Sequence, residues 1–278
     1  MKNVVVVIPV YRPDPKEEEI ASFMQCVTVL RNYKIVLLTY KSLICDAYEH
    51  IARKCNTELN RENFDKSFFC SVEGYNRLCL DRMFYERFIE YEYMLIYQLD
   101  AWVFRDELSF WCSQGFDYIG APWFIKADDR YSYELSGFVG NGGFSLRKIK
   151  FCLRVLNDMK YMPIFNWRWL LKTSNSIWDL LKIPLKSIGV HNNRSWFVMK
   201  EGKIAINEDI FYSLFRHSYY NCHFPTLEEA ISFSFEVHPS YLYELNNNRL
   251  PFGCHAYRKY EYDTFWKRYI IDNIGSLN

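Results

Sequence analysis

The sequence predicts an α/β protein with a mainly parallel sheet and helices on both faces of that sheet. Near-continuous apolar runs at residues 3–8 and 93–97 are typical of strands that are covered on both faces. Strand and helix patterns alternate with short connections as far as residue 104, which is typical of a doubly wound sheet. The length of 278 residues fits one large domain or two small ones, and we predict one.

The first half of the chain supplies the predicted parallel strands and the helices between them. Asp14, with Glu17 three residues later and Pro15 at the first helical position, predicts the start of the first helix. A second helix is predicted at residues 42–55, and an amphipathic helix containing Met83 leads into the central strand. The predicted strands are residues 3–8, 34–39, 67–70 and 93–97.

Asp100 follows the central strand of this prediction. Open α/β sheets bind ligands beyond the carboxyl ends of their strands, so a carboxylate at this place indicates a ligand contact. The alternative is an aspartate that caps a turn or a helix. Asp106 is the better cap, because a helix pattern begins directly after it. We therefore expect Asp100 to contact a ligand.

Composition limits the classes of function. The formal net charge of +1 argues against a track for nucleic-acid phosphates and against a polyanionic substrate. Aromatic residues make up 19% of the chain, and sugar-binding clefts commonly use aromatic faces, although many of these rings belong to the core. The loop after the first strand contains neither GxGxxG nor GxxxxGK[ST], which excludes a dinucleotide fingerprint and a P-loop.

The cysteines and the amino-terminal segment indicate a compartment. There are nine cysteines, an odd number without a CxxC pair, which argues against a disulfide framework and against structural zinc. The apolar run at residues 4–10 is short for a signal sequence and is interrupted by Pro9. We therefore expect a cytoplasmic protein in a reducing environment.

The strand and helix alternation ends after residue 104. Residues 115–123 predict a short strand and a proline turn that presents Trp123, and residues 126–137 predict a mobile polar loop. The acidic pair at 128–129 has two interpretations, a metal site or solvated loop residues. Three glycines within residues 140–143 either let the backbone approach a ligand closely or form a bulged hairpin strand.

Three features of the last part of the chain bear on function. The tryptophan-rich residues 150–200 predict a cap over the cleft. Asn207 precedes Glu208 and Asp209 at a predicted helix start, where the helix dipole favours negative charge, so simple capping is the alternative to a chemical role. Residues 257–271 predict a packed terminal helix, with contact to a membrane surface as the second interpretation.

The order of these motifs resembles a known family. It is similar to an uncharacterised bacterial family (DUF5672-like) that is grouped with the GT-A fold nucleotide-sugar glycosyltransferases. The resemblance covers residues 3–258 and implies a GT-A type, Rossmann-like sheet with an aromatic-rich carboxyl-terminal cap. The segments that carry it are Gln98-Leu99-Asp100, Gly140-Asn141-Gly142-Gly143-Phe144-Ser145, Asn207-Glu208-Asp209 and Pro251-Phe252-Gly253-Cys254-His255.

This resemblance implies a function and a division of the chain. It implies transfer of a sugar from a nucleoside-diphosphate sugar, with UDP favoured, to a saccharide or lipid-linked saccharide acceptor in bacterial surface polysaccharide synthesis. Within a single domain, residues 1–105 would form the nucleotide-binding half and residues 106–278 the donor-sugar and acceptor half. No nucleic acid is expected as a partner, and a lipid-linked acceptor would place the protein at the inner face of the membrane.

The resemblance also implies a divalent metal, Mn²⁺ or Mg²⁺. In the GT-A fold a DxD motif holds the metal that bridges the nucleotide diphosphate, and Asp100 matches the last residue of that motif. Gln98 occupies the position of the first Asp of that motif, where it can hydrogen-bond a ribose hydroxyl but lacks the negative charge. His255 matches a late histidine that supplies a further ligand; otherwise it would be an ordinary core or surface residue. The metal would neutralise the charge of the leaving diphosphate.

The remaining site residues are also implied by the resemblance. Asp209 matches the general base of inverting members, which takes the proton of the acceptor hydroxyl. Glu208 is its companion acid, which would bind an acceptor hydroxyl or cap the helix, and Trp123 would contact the acceptor. The donor-binding residues that the resemblance implies are Pro9, Val10, Tyr11, Arg77, Gln98, Asp100, Asn141, Gly142 and Gly143.

Two other classes of function are consistent with parts of the sequence. A non-catalytic carbohydrate-binding or scaffold protein would explain Gln98 and the aromatic residues, and it would show no affinity for nucleotides. A sugar nucleotidyltransferase also uses a metal-binding carboxylate on an α/β sheet. Such enzymes usually have a glycine-rich loop with Lys or Arg after the first strand, which residues 9–13 lack.

Overall fold

A computed structural model describes residues 2–127, 130–157, 207–217 and 221–270. Six of its strands form a central sheet. The strands are β1 (Lys2–Pro9), β2 (Lys34–Thr39), β3 (Leu59–Asn63), β4 (Tyr91–Tyr97), β5 (Trp102–Val103), β6 (Tyr118–Ile119), β7 (Pro122–Ala127), β8 (Arg130–Val139), β9 (Phe144–Lys148), β10 (Ser234–Phe235) and β11 (Gly253–Cys254). The order in the central sheet is β3-β2-β1-β4-β9-β6.

The central sheet is mainly parallel, as the sequence predicts. Strand β1 pairs in parallel with both β2 and β4, and β2 pairs in parallel with β3. Strand β9 runs antiparallel to its neighbours β4 and β6. The prediction that residues 4–8, 35–38 and 94–97 are neighbouring parallel strands is therefore confirmed.

Helices cover both faces of this sheet. The helices are α1 (Glu17–Val29), α2 (Asp46–Lys54), α3 (Val72–Cys79), α4 (Arg82–Glu86), α5 (Leu108–Ser113), α6 (Ile149–Asn157), α7 (Glu208–Ser213), α8 (Leu227–Phe233) and α9 (Pro239–Leu245). Val4, Val6 and Ile8 of β1 pack in one apolar core with α1 and α2, while Val5 and Val7 pack in a second core with α3, α4, α6 and α7. This alternation follows from the pleat of a strand, which points successive side chains to opposite faces.

A third apolar core forms an aromatic-rich cap in the carboxyl-terminal part of the chain. It packs around a three-stranded sheet in the order β10-β11-β5. Phe104, just after β5, stacks on Trp266 with 5.7 Å between ring centroids. The backbone N–H of Phe104 also donates to the carbonyl of Phe252 at 2.9 Å. These contacts hold the cap against the segment that follows β4, which is where the predicted site lies.

The predicted third strand is wrong. Residues Lys66–Phe69 form a 3₁₀ helix, and the edge strand of the sheet is Leu59–Asn63. An edge strand is paired on one side only and is half-exposed, so its side chains are polar and the search for an apolar run misses it. The apolar Phe68 and Phe69 instead pack beside α3 and line a cleft.

Three predicted helix boundaries also need correction. Helix α1 begins at Glu17, where Glu19 accepts the backbone N–H of Lys16 at 2.8 Å, so Asp14 is not its cap. Helix α2 begins at Asp46 rather than at residue 42. The helix predicted before β4 is two short helices, because Asp81 caps α4 by accepting the N–H of Met83 at 3.0 Å.

The segment predicted to be a polar loop at residues 126–137 is mostly a hairpin. Strands β7 and β8 pair antiparallel from Pro122↔Val139 to Ala127↔Arg130, with register irregularities. Trp123 therefore lies in a strand rather than in a turn. The acidic pair at 128–129 and most of the predicted cap at 150–200 lie outside the described residues.

The terminal segment is only partly the helix that the sequence predicts. Turns follow Tyr257, and a π-helix spans Tyr262–Trp266 before helical structure that reaches Ile270. Within the ranges that the structure describes, no helix is long and apolar enough to cross a membrane.

Candidate functional site

Gln98 and Asp100 lie in a tight turn at the carboxyl end of β4. The backbone N–H of Ala101 donates to the carbonyl of Gln98 at 2.9 Å, which turns the chain directly after the strand. Val7 of β1 is in register with Ile96 of β4, so the ends of these two strands meet at one edge of the sheet. The structure thus places Asp100 at the edge where ligands of α/β sheets bind.

His255 lies beside this turn because two short strands align it. Strand β5 begins two residues after Asp100, β11 ends one residue before His255, and Trp102 pairs with Cys254. The His255 Nε2 atom is 3.2 Å from Asp100 Oδ1 and 3.2 Å from Gln98 Oε1. Gln98 and Asp100, which the sequence analysis selected, therefore lie beside the Nε2 atom of His255, which comes from a distant segment of the chain.

The charges of this group are strongly coupled. Burial alone would lower the pKa of His255, but the Asp100 carboxylate and the nearby Glu236 outweigh burial and raise that pKa to about 10. Burial would raise the pKa of Asp100, yet the attraction and hydrogen bond of His255 lower it. In the absence of another cation, the imidazolium of His255 thus bridges carboxylates on both of its nitrogen atoms.

Two consecutive glycines bring the start of β9 against this group. A Cβ atom on Gly143 would collide with the imidazole of His255, and a Cβ atom on Gly142 would collide with the carboxylate of Glu208. The carbonyl of Gly143 accepts the backbone N–H of Gln98 at 2.9 Å. Glycine at both positions therefore lets the backbone come close to His255 and Glu208. Residues 140–143, called the glycine turn below, connect the turn at residues 98–101, called the β4 turn, to the start of α7.

Glu208 is held in a buried ion pair with Arg147 of β9. The two Glu208 oxygens lie 2.7 and 2.8 Å from two guanidinium nitrogens, and both side chains are buried. Arg147 also donates to the carbonyl of Gly142 at 3.3 Å and to the hydroxyl of Tyr85 at 3.2 Å. Glu208 thus fixes α7 to the glycine turn, with both of its carboxylate oxygens paired to Arg147.

Asp209, the next residue, has a different environment. It is half-buried, and its carboxylate accepts the backbone N–H of Gly142 at 3.3 Å and of Ile210 at 2.8 Å. Burial, followed by repulsion from Glu208, raises the pKa of Asp209 to about 7. A carboxylate with such a pKa can accept a proton near neutral pH and release it again.

A cleft of about 610 Å³ opens beside Asp100 and Gln98. The β1–α1 loop, the segment before α3, the β4 turn and the segment after His255 form its walls. Of the predicted donor residues, Pro9, Tyr11, Gln98 and Asp100 line it, whereas the side chain of Val10 is fully buried in the core. The cleft-lining residues that the sequence analysis missed are Arg12, Lys16, Glu18, Glu19, Phe68, Phe69, Cys70, Ser71, Val72, Tyr75, Leu99, Tyr257 and Arg258.

Other predicted site residues do not line this cleft. Arg77 is exposed on α3, where its guanidinium lies over the ring of Phe68 and 3.5 Å from the carbonyl of Ser67. Trp123 is half-buried in β7. The Asn141 side chain accepts the N–H of Gly143 at 3.1 Å, which stabilises the glycine turn.

The donor atoms at the β4 turn fit part of a divalent metal site. They are a carboxylate oxygen of Asp100, an amide oxygen of Gln98 and the Nε2 atom of His255. The two oxygens suit Mn²⁺ or Mg²⁺, and the imidazole nitrogen suits a transition-metal ion. Among the residues that the structure describes, no group of three or more His, Cys, Asp or Glu side chains could hold a metal alone. Oxygens of a bound ligand and of water would have to complete the coordination sphere, as is common for Mg²⁺.

Two residues behind the site carry no signal in the sequence. Glu236 lies 3.2 Å from the Nδ1 atom of His255, and Arg147 holds Glu208. Each is separated from its partner by many residues, so the contacts follow only from tertiary structure. Glu236 reaches His255 through the pairing of β10 with β11, and Arg147 of β9 reaches Glu208 at the start of α7.

Comparisons with known proteins give distant structural similarities. The core-mannan synthase A (CmsA/Ktr4) from Aspergillus fumigatus in its Mn/GDP form has a TM-score of 0.42 at 10% identity, over 77% of this chain and 70% of that one. The WbbM bifunctional glycosyltransferase has a TM-score of 0.49 at 12% identity, over 96% of this chain and 50% of that one. Mouse xyloside xylosyltransferase 1 has a TM-score of 0.46 at 11% identity, over 91% of this chain and 97% of that one.

Sequence comparisons give one family. No curated protein matches the chain significantly. The family model described as "Protein of unknown function (DUF5672)" matches residues 58–255, which include the β4 turn, the glycine turn, the start of α7 and His255. The chain therefore belongs to the DUF5672 family.

Proposed function

We propose that the chain is a GT-A type glycosyltransferase that moves a sugar from a nucleoside-diphosphate sugar to a hydroxyl group of a saccharide. The observation that carries the proposal is the glycine turn. Asp209 lies against Gly142 on one side of this turn, and His255 with Asp100 lies against Gly143 on the other. A proton acceptor and a set of metal-binding atoms thus flank one point next to a cleft, which suits a transfer that needs both.

The cleft supplies contacts for the nucleoside diphosphate. Tyr11, Phe68 and Tyr75 present aromatic faces on which a nucleobase and a ribose can pack. Arg258 and Arg12, the latter 3.7 Å from Glu19, place guanidinium groups in the same walls, where they can pair with a diphosphate. Gln98 accepts a ribose hydroxyl or contributes its oxygen to the metal, and Arg77 is left out of the donor site because it does not line the cleft.

The side chains divide the chemistry between them. A divalent metal held by Asp100, Gln98 and His255 would supply Lewis-acid stabilisation of the diphosphate charge. The Asp209 carboxylate takes the proton of the acceptor hydroxyl while the new C–O bond forms and the bond from the sugar to the diphosphate breaks. The electron pair of the broken bond leaves on the diphosphate. Attack from the side opposite the diphosphate inverts the anomeric centre.

The finer assignments belong to the same proposal. The donor is a UDP-sugar, and the acceptor is a saccharide or lipid-linked saccharide of bacterial surface polysaccharide synthesis, reached at the inner face of the membrane. Residues 1–105 bind the nucleotide, and residues 106–278 bind the donor sugar and the acceptor, with Trp123 in contact with the acceptor. Glu208 acts as a positioning residue for Asp209, since its carboxylate is already paired with Arg147.

The test compares the wild type with Asp209→Asn. Purified protein is incubated with a panel of nucleotide sugars and saccharide acceptors in Mn²⁺, and products are identified by mass spectrometry and by the anomeric coupling constant in NMR. We expect Asp209→Asn to lower the transfer rate by about 10² to 10⁴. Its affinity for the nucleotide sugar should stay within about twofold of the wild type, because Asp209 does not line the cleft.

Asp81→Asn is the matched control. Asp81 also starts a helix and accepts a backbone N–H, but it lies outside the site, and Asn caps a helix as well as Asp does. Its transfer rate should equal that of the wild type. A wild type that binds nucleotide sugars without transfer would support the non-catalytic alternative. In a parallel assay with nucleoside triphosphates and sugar 1-phosphates, release of pyrophosphate together with a nucleotide sugar would support the nucleotidyltransferase. Retention of the donor configuration would refute the role of Asp209.

A further inference from the structure

Glu236 contacts the nitrogen atom of His255 that faces away from Asp100. Strands β10 and β11 pair in parallel with Phe235 opposite Cys254, so the residues after them, Glu236 and His255, lie side by side. The His255 backbone N–H donates to the Phe235 carbonyl at 2.9 Å, and the Glu236 carboxylate lies 3.2 Å from Nδ1. Glu236 is buried. The contact is therefore set by the backbone pairing of two adjacent strands.

This contact decides which nitrogen atom of the ring is available to a ligand. An ionised carboxylate only accepts hydrogen bonds, so the Nδ1 atom beside Glu236 carries a hydrogen. Nε2 faces Asp100 Oδ1 and Gln98 Oε1 at 3.2 Å each and also carries a hydrogen in the imidazolium. When a divalent cation replaces that Nε2 hydrogen, the hydrogen on Nδ1 stays with Glu236 and Nε2 offers its electron pair to the cation. The α-carbon of Gly143 lies against the same end of the ring, since a Cβ atom there would collide with Nε2 and the two ring carbons beside it.

We infer that Glu236 is a positioning residue that holds His255 in the tautomer and orientation needed to bind a divalent cation through Nε2, together with Asp100 and Gln98. The inference rests on the proposed function, because it concerns the metal of that site. Metal-binding histidines commonly donate their second N–H to a carboxylate, which fixes the ring and increases the basicity of the ligand atom. Here the carboxylate also adds a negative charge to a set that has only one carboxylate among its direct donors.

The same chain contains a second pair of a histidine and a glutamate, which serves as a control. Glu261 lies 3.9 Å from the Nδ1 atom of His238, and it also accepts the backbone N–H of Ser240. The other nitrogen of His238 contacts the carbonyl of Tyr131 at 3.2 Å. Removing the charge of Glu261 changes the surroundings of a histidine in the same cap but leaves the β4 turn intact.

The experiment measures the binding of Mn²⁺ by electron paramagnetic resonance, with and without UDP, for the full chain. We expect Glu236→Gln to raise the dissociation constant of Mn²⁺ by about 10- to 100-fold, the usual effect of losing such a partner. Glu261→Gln should stay within about twofold of the wild type, as expected for a residue without contact to the site. At saturating Mn²⁺ the UDP affinity of Glu236→Gln should return to the wild-type value, which a merely structural defect would not allow.

The outcomes separate this inference from the proposed function. If Asp100→Asn abolishes Mn²⁺ binding but Glu236→Gln leaves it unchanged, the metal site stands and the role of Glu236 is refuted. If Mn²⁺ binding by the wild type does not depend on Asp100, the metal site and the role of Glu236 both fail, and sugar transfer in chelator tests the rest of the proposed function.

A second measurement does not depend on the folding of a variant. Long-range ¹H–¹⁵N spectra of the histidine-labelled wild type, saturated with Mg²⁺ and UDP, should show the His255 hydrogen on Nδ1. A hydrogen on Nε2 in that state would contradict the inference.

Discussion

Gly142 and Gly143 are adjacent, yet their α-carbons face two different parts of the site. Gly143 faces the imidazole of His255, and Gly142 faces the carboxylate of Glu208. Neither glycine has the positive φ value that would need glycine for backbone reasons alone. The space between elements, rather than the backbone conformation, therefore requires glycine at both positions.

A substitution at Gly143 should displace His255. In Gly143→Ala the added methyl group would overlap the imidazole, so either the ring leaves its place between Asp100 and Glu236 or the turn shifts. We expect weaker binding of Mn²⁺ and a lower melting temperature. Gly137→Ala is the control for a general effect of losing a glycine, because nothing lies within 4 Å of its Cβ position, although its φ of 78° adds strain of its own. Unchanged Mn²⁺ affinity in Gly143→Ala would show that metal binding does not need the close contact between the Gly143 backbone and the His255 ring.

The pKa of Asp209 predicts a pH dependence of the transfer rate. A general base works only when it is ionised, so the rate should rise with pH, with a midpoint near the folded-state pKa of about 7, and level off above it. Measuring kcat/KM from pH 5 to pH 9 tests this, because the pH dependence of kcat/KM reports the ionisation of groups in the free enzyme. A rate that is constant from pH 5.5 to pH 8 would contradict the assignment.

The same shift has a consequence for stability, and its sign can be worked out. Because burial raises the pKa of Asp209 above its unfolded value of about 3.9, the folded protein holds a proton that the unfolded chain releases between those two values. This group therefore makes the protein less stable as pH rises from about 4 to 7. Both proteins are measured in chelator. The melting temperature of Asp209→Asn minus that of the wild type should be larger at pH 8 than at pH 5.

At the scale of elements, strand β9 and helix α7 are joined by the Arg147–Glu208 pair. Replacing Arg147 by Met leaves the buried carboxylate of Glu208 without a cation, and breaking a buried pair in this way typically costs about 3–5 kcal/mol. We expect that loss in urea unfolding of Arg147→Met. The double variant Arg147→Met/Glu208→Gln should recover part of it, since no buried charge is left. Equal stability of the two variants would contradict a role of the lone charge.

Strands could be predicted from the sequence where burial on both faces makes their side chains apolar. Strands β1, β2 and β4 are covered on both faces and appear as apolar runs. Strand β3 has one neighbour and polar side chains, and the β7–β8 hairpin is largely exposed, so both lack that signal. Phe68 and Phe69 are apolar because they line a cleft, and an apolar run of that origin predicts a strand incorrectly.

The whole molecule explains which site residues could be predicted. Gln98, Asp100, Asp209 and His255 are implied by the resemblance to a family, and the structure places them around one turn, while their roles stay predictions. Glu236 could not be predicted, because its place beside His255 depends on the pairing of β10 with β11 and not on any local pattern. Arg77 shows the opposite case: a sequence motif suggests a donor contact, but its helix directs the side chain over Phe68.

The short pairing of β5 with β11 sets a limit on insertions and deletions. Trp102 pairs with Cys254, Asp100 is two residues before Trp102, and His255 follows Cys254 directly. The short spacing of each site residue from this pair therefore fixes its position relative to the other. Since side chains alternate between faces of a strand, adding or removing one residue on either side of that couple would turn Asp100 or His255 away from the other. Loops elsewhere in the cap are free of this constraint. Changes in chain length can therefore reshape the periphery of the protein, while the spacing 100–102 and 254–255 stays fixed.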